Sequence, residues 1–311
     1  MANNEAIVIT GVGEYWGSRL AGKLLQESGS RVIGIDSQPP ADDIEGLDFI
    51  EAELDNPLVG ELIEQENVAV LCHLKFSEQD KFDNRKNTQV TISLLKACSG
   101  AGVSNIILRS STSVYGAHPE NPAFLKENAP LRGSDSPAYN RAFLEIEKFC
   151  ADNQNYLEGL TIFRFANIVG RLVDSPMTRI LRQERPMVLF GYDPVTQFVH
   201  EDDVVEALAQ GAKNPVPGVY NLGADGAMPL TRVMRLVGKR PTPIFYKFAK
   251  KKSSKKRNMI FGQGKMRPID WDYLRFPWVA DLTMMRAKLG FYPKYTAEEA
   301  LREFAGTAQE E

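Results

Sequence analysis

The strongest constraint on how this chain folds is an alternation. Short, unbroken apolar runs take turns with stretches of helical spacing over its first two-thirds. EAIVITG (5–11) is a β-branched run closed by glycine. GSRLAGKLLQES (17–28) carries Leu20, Leu24 and Leu25 at helical spacing. RVIGID (31–36), VAVLCHL (68–74) and NIILRSS (105–111) read as further buried strands. Between the last two, TQVTISLLKACSGAG (88–102) is helical and stops at glycine. Strands apolar on every residue are buried on both faces, and with helices between them they form a parallel sheet covered on both sides. Right-handed crossovers make that sheet doubly wound, so the expected fold class is α/β. After about residue 170 the alternation fades, and Pro176, Pro186, Pro194, Pro215, Pro217 and Pro229 cut the chain into short pieces. The expected organisation is a core over 1–170 and a part over 171–311 that is mostly a smaller lobe, interleaved with the last core strands.

The first strand runs directly into TGVGEYWGSRL (10–20). Glycines between a strand and a helix let the backbone approach a pyrophosphate at the helix N-terminus. Asp36 closes the second strand, where an acid accepts the ribose hydroxyls of NAD and repels the extra phosphate of NADP. The expected cofactor is therefore NAD in preference to NADP, held by Gly11, Gly13, Gly17 and Asp36.

Composition adds bounds. Hydrophobic residues are 43% and charged residues 25%, the balance of a soluble globular protein. The formal charge of −3 gives the whole chain no pull toward nucleic acid or membrane. The start, MANNEAIVITGVG, reads as a first strand and not as a signal peptide. Cys72, Cys98 and Cys150 have neither metal spacing nor a disulfide framework, which points to reduced thiols in a cytoplasmic protein with no metal. One stretch departs from the average. KFAKKKSSKKR (Lys247 to Arg257) holds seven basic residues in eleven, directly after Phe245 and Tyr246. Basic residues beside aromatics suit an anionic membrane surface, so a peripheral membrane contact is an expectation for this run.

Eight blocks in order resemble the extended short-chain dehydrogenase/reductases, the superfamily of nucleotide-sugar epimerases and dehydratases and of 3β-hydroxysteroid-dehydrogenase-like enzymes. ITGVGEYWGSRL is similar to the family's TGxxGxxG turn, and VLCHL to the end of its fourth strand. Asn87 matches its helix asparagine, GVSNIILRSSTSVYG its fifth strand with a serine, and PAYNRAFLEIEKF its YxxxK helix. FRFANIVGR, QFVHEDDVVEAL, GVYNLGADGAMPL and the C-terminal DLTMMRAKLGFYPKYTAEEALREF resemble later family blocks. The resemblance implies a Rossmann-type fold and an oxidoreductase, epimerase or dehydratase acting on a hydroxyl or ketone of a nucleotide-sugar or lipid-like substrate. It implies Tyr139 as acid/base and Ser111 as its polar helper, with Thr112 and Asn167 near the substrate and Asn87 near the cofactor. Thr112 and Ser113 are the close alternatives to Ser111. Arg179, Arg182, Arg232 and Arg235 could meet the phosphates of a nucleotide sugar. Family members pair through two helices, which implies a homodimer here.

Three positions depart from the family pattern. Glu14 stands where TGxxGxxG has its second glycine, with Gly13 one residue out of register. The fourth strand ends HLKF and not in small residues, which brings Lys75 and Phe76 to the edge of the cofactor position. The strand order makes the loops after strands one and four neighbours, so Glu14 and Lys75 are expected to pair across the pyrophosphate position, or Lys75 to grip a phosphate. Third, Phe143 replaces the lysine one turn after Tyr139. In the family that lysine holds the nicotinamide ribose and lowers the tyrosine pKa by its charge. The contending reading is a catalytically degenerate relative that binds a nucleotide or partner as a sensor or scaffold.

Overall fold

A computed structural model describes residues 6–75, 84–134, 138–249 and 270–307, and for residues 28, 84–87, 138, 139 and 307 it describes the backbone alone. In chain order the strands are β1 (Ala6–Thr10), β2 (Arg31–Asp36), β3 (Leu47–Glu51), β4 (Val68–His73), β5 (Asn105–Ser111), β6 (Leu160–Phe165), β7 (Asn167–Val169), β8 (Met187–Leu189), β9 (Val195–Thr196), β10 (Phe198–His200), β11 (Gly218–Leu222), β12 (Met228–Pro229) and β13 (Thr242–Ile244). The helices are α1 (Tyr15–Ser28), α2 (Pro57–Gln65), α3 (Asn84–Gly100), α4 (Ala138–Asp152), α5 (Pro176–Arg182), α6 (Glu201–Lys213), α7 (Leu230–Leu236), α8 (Thr283–Leu289) and α9 (Ala297–Thr307).

Seven strands form one sheet in the order β11-β6-β5-β4-β1-β2-β3. The pairs β1–β2, β2–β3, β1–β4 and β4–β5 are parallel. The order reverses between β1 and β4, the topological switch point of a doubly wound sheet. The apolar runs read from the sequence are its centre: Val8, Ile9, Ile33, Ile35, Leu71 and Ile107 have no exposed surface. Each such side chain contributes about 1.5–3 kcal/mol of burial. Leu20 and Leu24 of α1 are also fully buried, and the helix stops at Gly29 in the left-handed conformation (φ 59°). Helix α2 starts as its sequence dictates: Asn56 accepts the Leu58 N–H at 3.0 Å and Pro57 takes the first helical position.

The chain divides into two units that alternate along the sequence. The first comprises residues 1–110, 142–164 and 204–220; the second comprises 111–141, 165–203 and 221–311. The first unit contains a buried ion pair: Arg164 of β6 donates to Glu147 of α4, which also accepts the Ser110 hydroxyl at 2.5 Å. The second has its own core of Met177, Leu181, Phe198, Val233, Leu301 and Phe304. Trp271 packs against this core, and Trp278 packs with Tyr115 and Leu125 in a smaller cluster. No helix among the described residues is long and apolar enough to cross a membrane.

Candidate cofactor and substrate site

In the first unit the turn from β1 to α1 shows why its glycines are there. Gly11 has φ +81°, and a Cβ on it would lie 2.7 Å from the Lys75 amide nitrogen. A Cβ on Gly17 would lie 2.1 Å from the Gly11 carbonyl oxygen, so only glycine permits this closeness of helix to turn. A Cβ on Gly13 would meet the Gln38 carbonyl oxygen at 2.3 Å. The glycine that stands one residue out of register is therefore required by contact with the segment after β2. Glu14 becomes the N-cap of α1, with extended backbone and no side-chain cap bond.

Three charged side chains meet above this turn. Lys75 Nζ lies 2.5 Å from Asp36 Oδ1 and 3.3 Å from Glu14 Oε1. The expected Glu14–Lys75 pair is present, but the nearer partner of Lys75 is Asp36. Asp36 is engaged at both oxygens: Oδ2 accepts the Gly13 N–H at 3.1 Å, and Oδ1 accepts the Gln38 N–H at 3.4 Å beside the lysine. Its side chain has no exposed surface. Burial pushes the Glu14 carboxyl above the usual carboxylate range, and the Lys75 charge draws it partly back. For Lys75 burial works downward, but the bond from Asp36 and the charges of Glu14 and Asp36 outweigh it, so the ammonium is held more firmly than usual. Phe76 lies outside the described residues. Asn87 falls in α3, where only the backbone is described.

Dinucleotide chemistry fits this turn in its glycines and in its acid at the end of β2, under one condition. The condition concerns Lys75, whose ammonium holds the carboxylate that a ribose would use.

Phe143 is packed into the first unit at 3% exposure. It stands in α4 four residues after Tyr139, of which the backbone alone is described. Cys72, Cys98 and Cys150 are free and buried, and burial pushes each thiol up to about 12. His73 bridges Thr10 at 2.6 Å and Thr91 at 2.8 Å, and its burial lowers it to about 3, so it is neutral at pH 7.

The second unit separates the three hydroxyls offered for the substrate. Ser111 is half-buried, and its Oγ accepts the Ser113 N–H at 3.2 Å, which leaves its own O–H to donate. Thr112 is 1% exposed. Ser113 donates its hydroxyl to Asn140 Oδ1 at 2.9 Å. Of the three, Ser111 is the half-exposed donor. Asn140, the residue after Tyr139, was not foreseen. Its amide donates to the Ser134 carbonyl at 2.7 Å and to the Tyr273 hydroxyl at 3.2 Å, while Tyr273 donates to the Ser113 carbonyl at 2.7 Å. An asparagine in the first turn of a helix, where it competes with the backbone, was the one sequence signal for it.

Asn167, in β7, donates to the Gln197 carbonyl at 2.9 Å. Three of the candidate phosphate arginines have internal partners instead: Arg179 forks onto Asp174, Arg182 donates to the Val173 and Arg171 carbonyls, and Arg232 pairs with Glu298. Phe190, Phe245 and Phe248 are exposed, with Phe245 in ring contact with each of the other two, and Lys247 is exposed; Lys250 to Arg257 lie outside the described residues.

Comparison with known proteins bears on this arrangement. The profile of the NAD dependent epimerase/dehydratase family matches residues 7–223. The chain belongs to that family. It is 27% identical to an uncharacterized protein of Mycobacterium tuberculosis (strain ATCC 25618 / H37Rv), covering 96% of this chain and 83% of the relative. It is 28% identical to short-chain dehydrogenase/reductase family 42E member 1 of Xenopus laevis, over 65% of this chain and 57% of that one. Among solved structures, UDP-glucuronic acid 4-epimerase of Bacillus cereus, a Y149F mutant in complex with UDP-4-deoxy-4-fluoro-glucuronic acid and NAD, superposes with a TM-score of 0.72 at 19% identity, covering 98% and 99% of the two chains. The Bordetella bronchiseptica enzyme WbmG with NAD and UDP gives 0.73 at 18% identity, covering 98% and 94%. At these identities the structures establish the fold, a Rossmann-type α/β sheet.

Proposed function

We propose that this chain is an NAD-dependent oxidoreductase of the epimerase/dehydratase type, acting on a hydroxyl or ketone of a nucleotide sugar. The observation that carries the reading is Ser111. It lies at the end of β5, inside the family match, with a hydroxyl left to donate while Ser113 is tied to Asn140. Gly11, Gly13, Gly17 and Asp36 would hold NAD, which accepts and returns hydride when bound. Ser111 would donate to the substrate oxygen. Tyr139 would take or return the proton of that oxygen. Phe143 supplies no positive charge at the position where the family resemblance implies a lysine that lowers the tyrosine pKa. The nucleotide-sugar class is supported by the ligands bound in the structural neighbours.

The same apolar Phe143 favours a second reading, a degenerate relative that binds a nucleotide as a sensor or scaffold. Titration with NAD followed by turnover of UDP-sugars separates the two. Turnover lost in Tyr139→Phe supports the enzyme, and NAD binding without turnover of any sugar supports the sensor. The pairing of family members supports a homodimer through α3 and α4. The exposed Phe190, Phe245 and Phe248 beside Lys247 support peripheral contact with an anionic membrane from a cytoplasmic location.

A further inference from the structure

The most informative contact in the first unit is Lys75 on Asp36, because of where the two residues start. Lys75 follows β4 by two residues and Asp36 ends β2, and β1 lies between those strands in the sheet. Adjacent strands are about 4.8 Å apart, so the two side chains, meeting at 2.5 Å, together span about two strand spacings. It therefore crosses above the C-terminal end of β1, with the Gly11 backbone directly beneath the Lys75 amide. Dinucleotides lie outside the carboxyl ends of these strands at the switch point. The lysine lies on that path.

The acid it reaches is the one that tells two cofactors apart. A carboxylate at the end of β2 accepts the 2′-hydroxyl of NAD and repels the 2′-phosphate of NADP. It has about four acceptor positions. Here Gly13, Gln38 and Lys75 take three of them, and the side chain has no exposed surface. The Gly13 and Gln38 bonds come from backbone and stay. Lys75 is 30% exposed, and a lysine side chain is flexible enough to move. While the ammonium stays, Asp36 offers a ribose nothing, and its charge no longer repels a phosphate.

We propose that Lys75 sets the balance between NAD and NADP, occupying Asp36 in place of the ribose and cancelling its repulsion of a 2′-phosphate. This rests on the dinucleotide reading given above. The wild-type chain then discriminates poorly between the two cofactors despite its acid, and NAD binds only by displacing the lysine. Glu14, also within reach of Lys75, keeps the ammonium close when it leaves Asp36.

Calorimetric titration of the full chain with NAD and NADP tests this, using wild type, Lys75→Ala, Lys75→Met and Lys75→Ala/Asp36→Asn. Thermal melting confirms that each is folded. Lys75→Met keeps most of the side-chain length without the charge. Both single variants should tighten NAD by about tenfold or more, the equivalent of one hydrogen bond to a charged group. NADP should not tighten, so the ratio of the two dissociation constants widens. Adding Asp36→Asn should return the ratio toward wild type. An unchanged ratio overturns the proposal, and weaker NAD binding in both single variants overturns it too and makes Lys75 a phosphate ligand. If no folded variant binds either dinucleotide, the NAD reading itself falls, and this inference with it.

Discussion

Restoring the family's lysine by Phe143→Lys asks whether position 143 can hold a charge. Phe143 is only 3% exposed, so the substitution acts first on packing. Removing a buried phenylalanine ring costs about 3–5 kcal/mol when nothing replaces it. The lysine stem refills part of that volume, but it brings an ammonium into an apolar site. Leaving a buried charge without a partner costs a further amount of about 3–5 kcal/mol, less whatever the side chain recovers by snorkelling to water. A net loss of about 3–5 kcal/mol corresponds to a fall of about 6 °C or more in melting temperature for a chain of this size. The assay is thermal melting with and without saturating NAD, beside Phe143→Leu, which keeps an apolar side chain and should lose about 1 kcal/mol. Phe143→Lys should melt well below both, with or without NAD. A ligand-free melting temperature within about 2 °C of wild type would refute the reasoning, since a buried charge cannot be that cheap.

Three more predictions follow from other sites. Arg164→Met should destabilise the fold by about 3–5 kcal/mol in urea titration by stranding Glu147, while Arg164→Met/Glu147→Leu should recover most of it; equal losses would mean the charge is not buried. His73 is neutral when folded with its pKa lowered to about 3 by burial, whereas the unfolded chain takes up a proton near 6.5. The unfolded state therefore binds more protons between those values, and stability should fall by about 1.4 kcal/mol per pH unit as pH drops through that window, a slope that His73→Gln should reduce. Tyr139→Phe should abolish turnover of a UDP-sugar in the presence of NAD, and turnover kept in that variant would show that another group moves the proton.

The sheet centre was legible because β1, β2, β4 and β5 each contain a short apolar run (AIVI, VIGI, VAVLC and IIL), as strands covered on both faces do. Strand β3 was not: LDFIE is half-exposed at the sheet edge and carries two acids. Strand β11 and helix α6 rejoin the first unit from a proline-broken region, so local pattern did not place them. At the site, strand order alone brought Glu14 and Lys75 together. The tighter bond to Asp36 was missed because that acid was assigned to a ribose, and its two backbone donors depend on the turn geometry around Gly13. Asn140 was missed for a similar reason: its partners at Ser113 and Tyr273 lie 27 and 133 residues away in sequence.

The alternation of the two units has a consequence for biosynthesis. Six segments take turns along the chain, so the polypeptide passes between the units five times. Neither unit is a contiguous piece that a ribosome could release for independent folding. Strand β11 is the last strand of the seven-stranded sheet to be made, and it covers the outer edge of β6. Until residue 222 has left the exit tunnel, that edge stands open with unpaired amides and carbonyls, a template for pairing with another nascent chain. Fragments cut near residue 170 keep the open edge permanently. They should be recovered as aggregates or chaperone complexes, although they contain every residue of the dinucleotide turn.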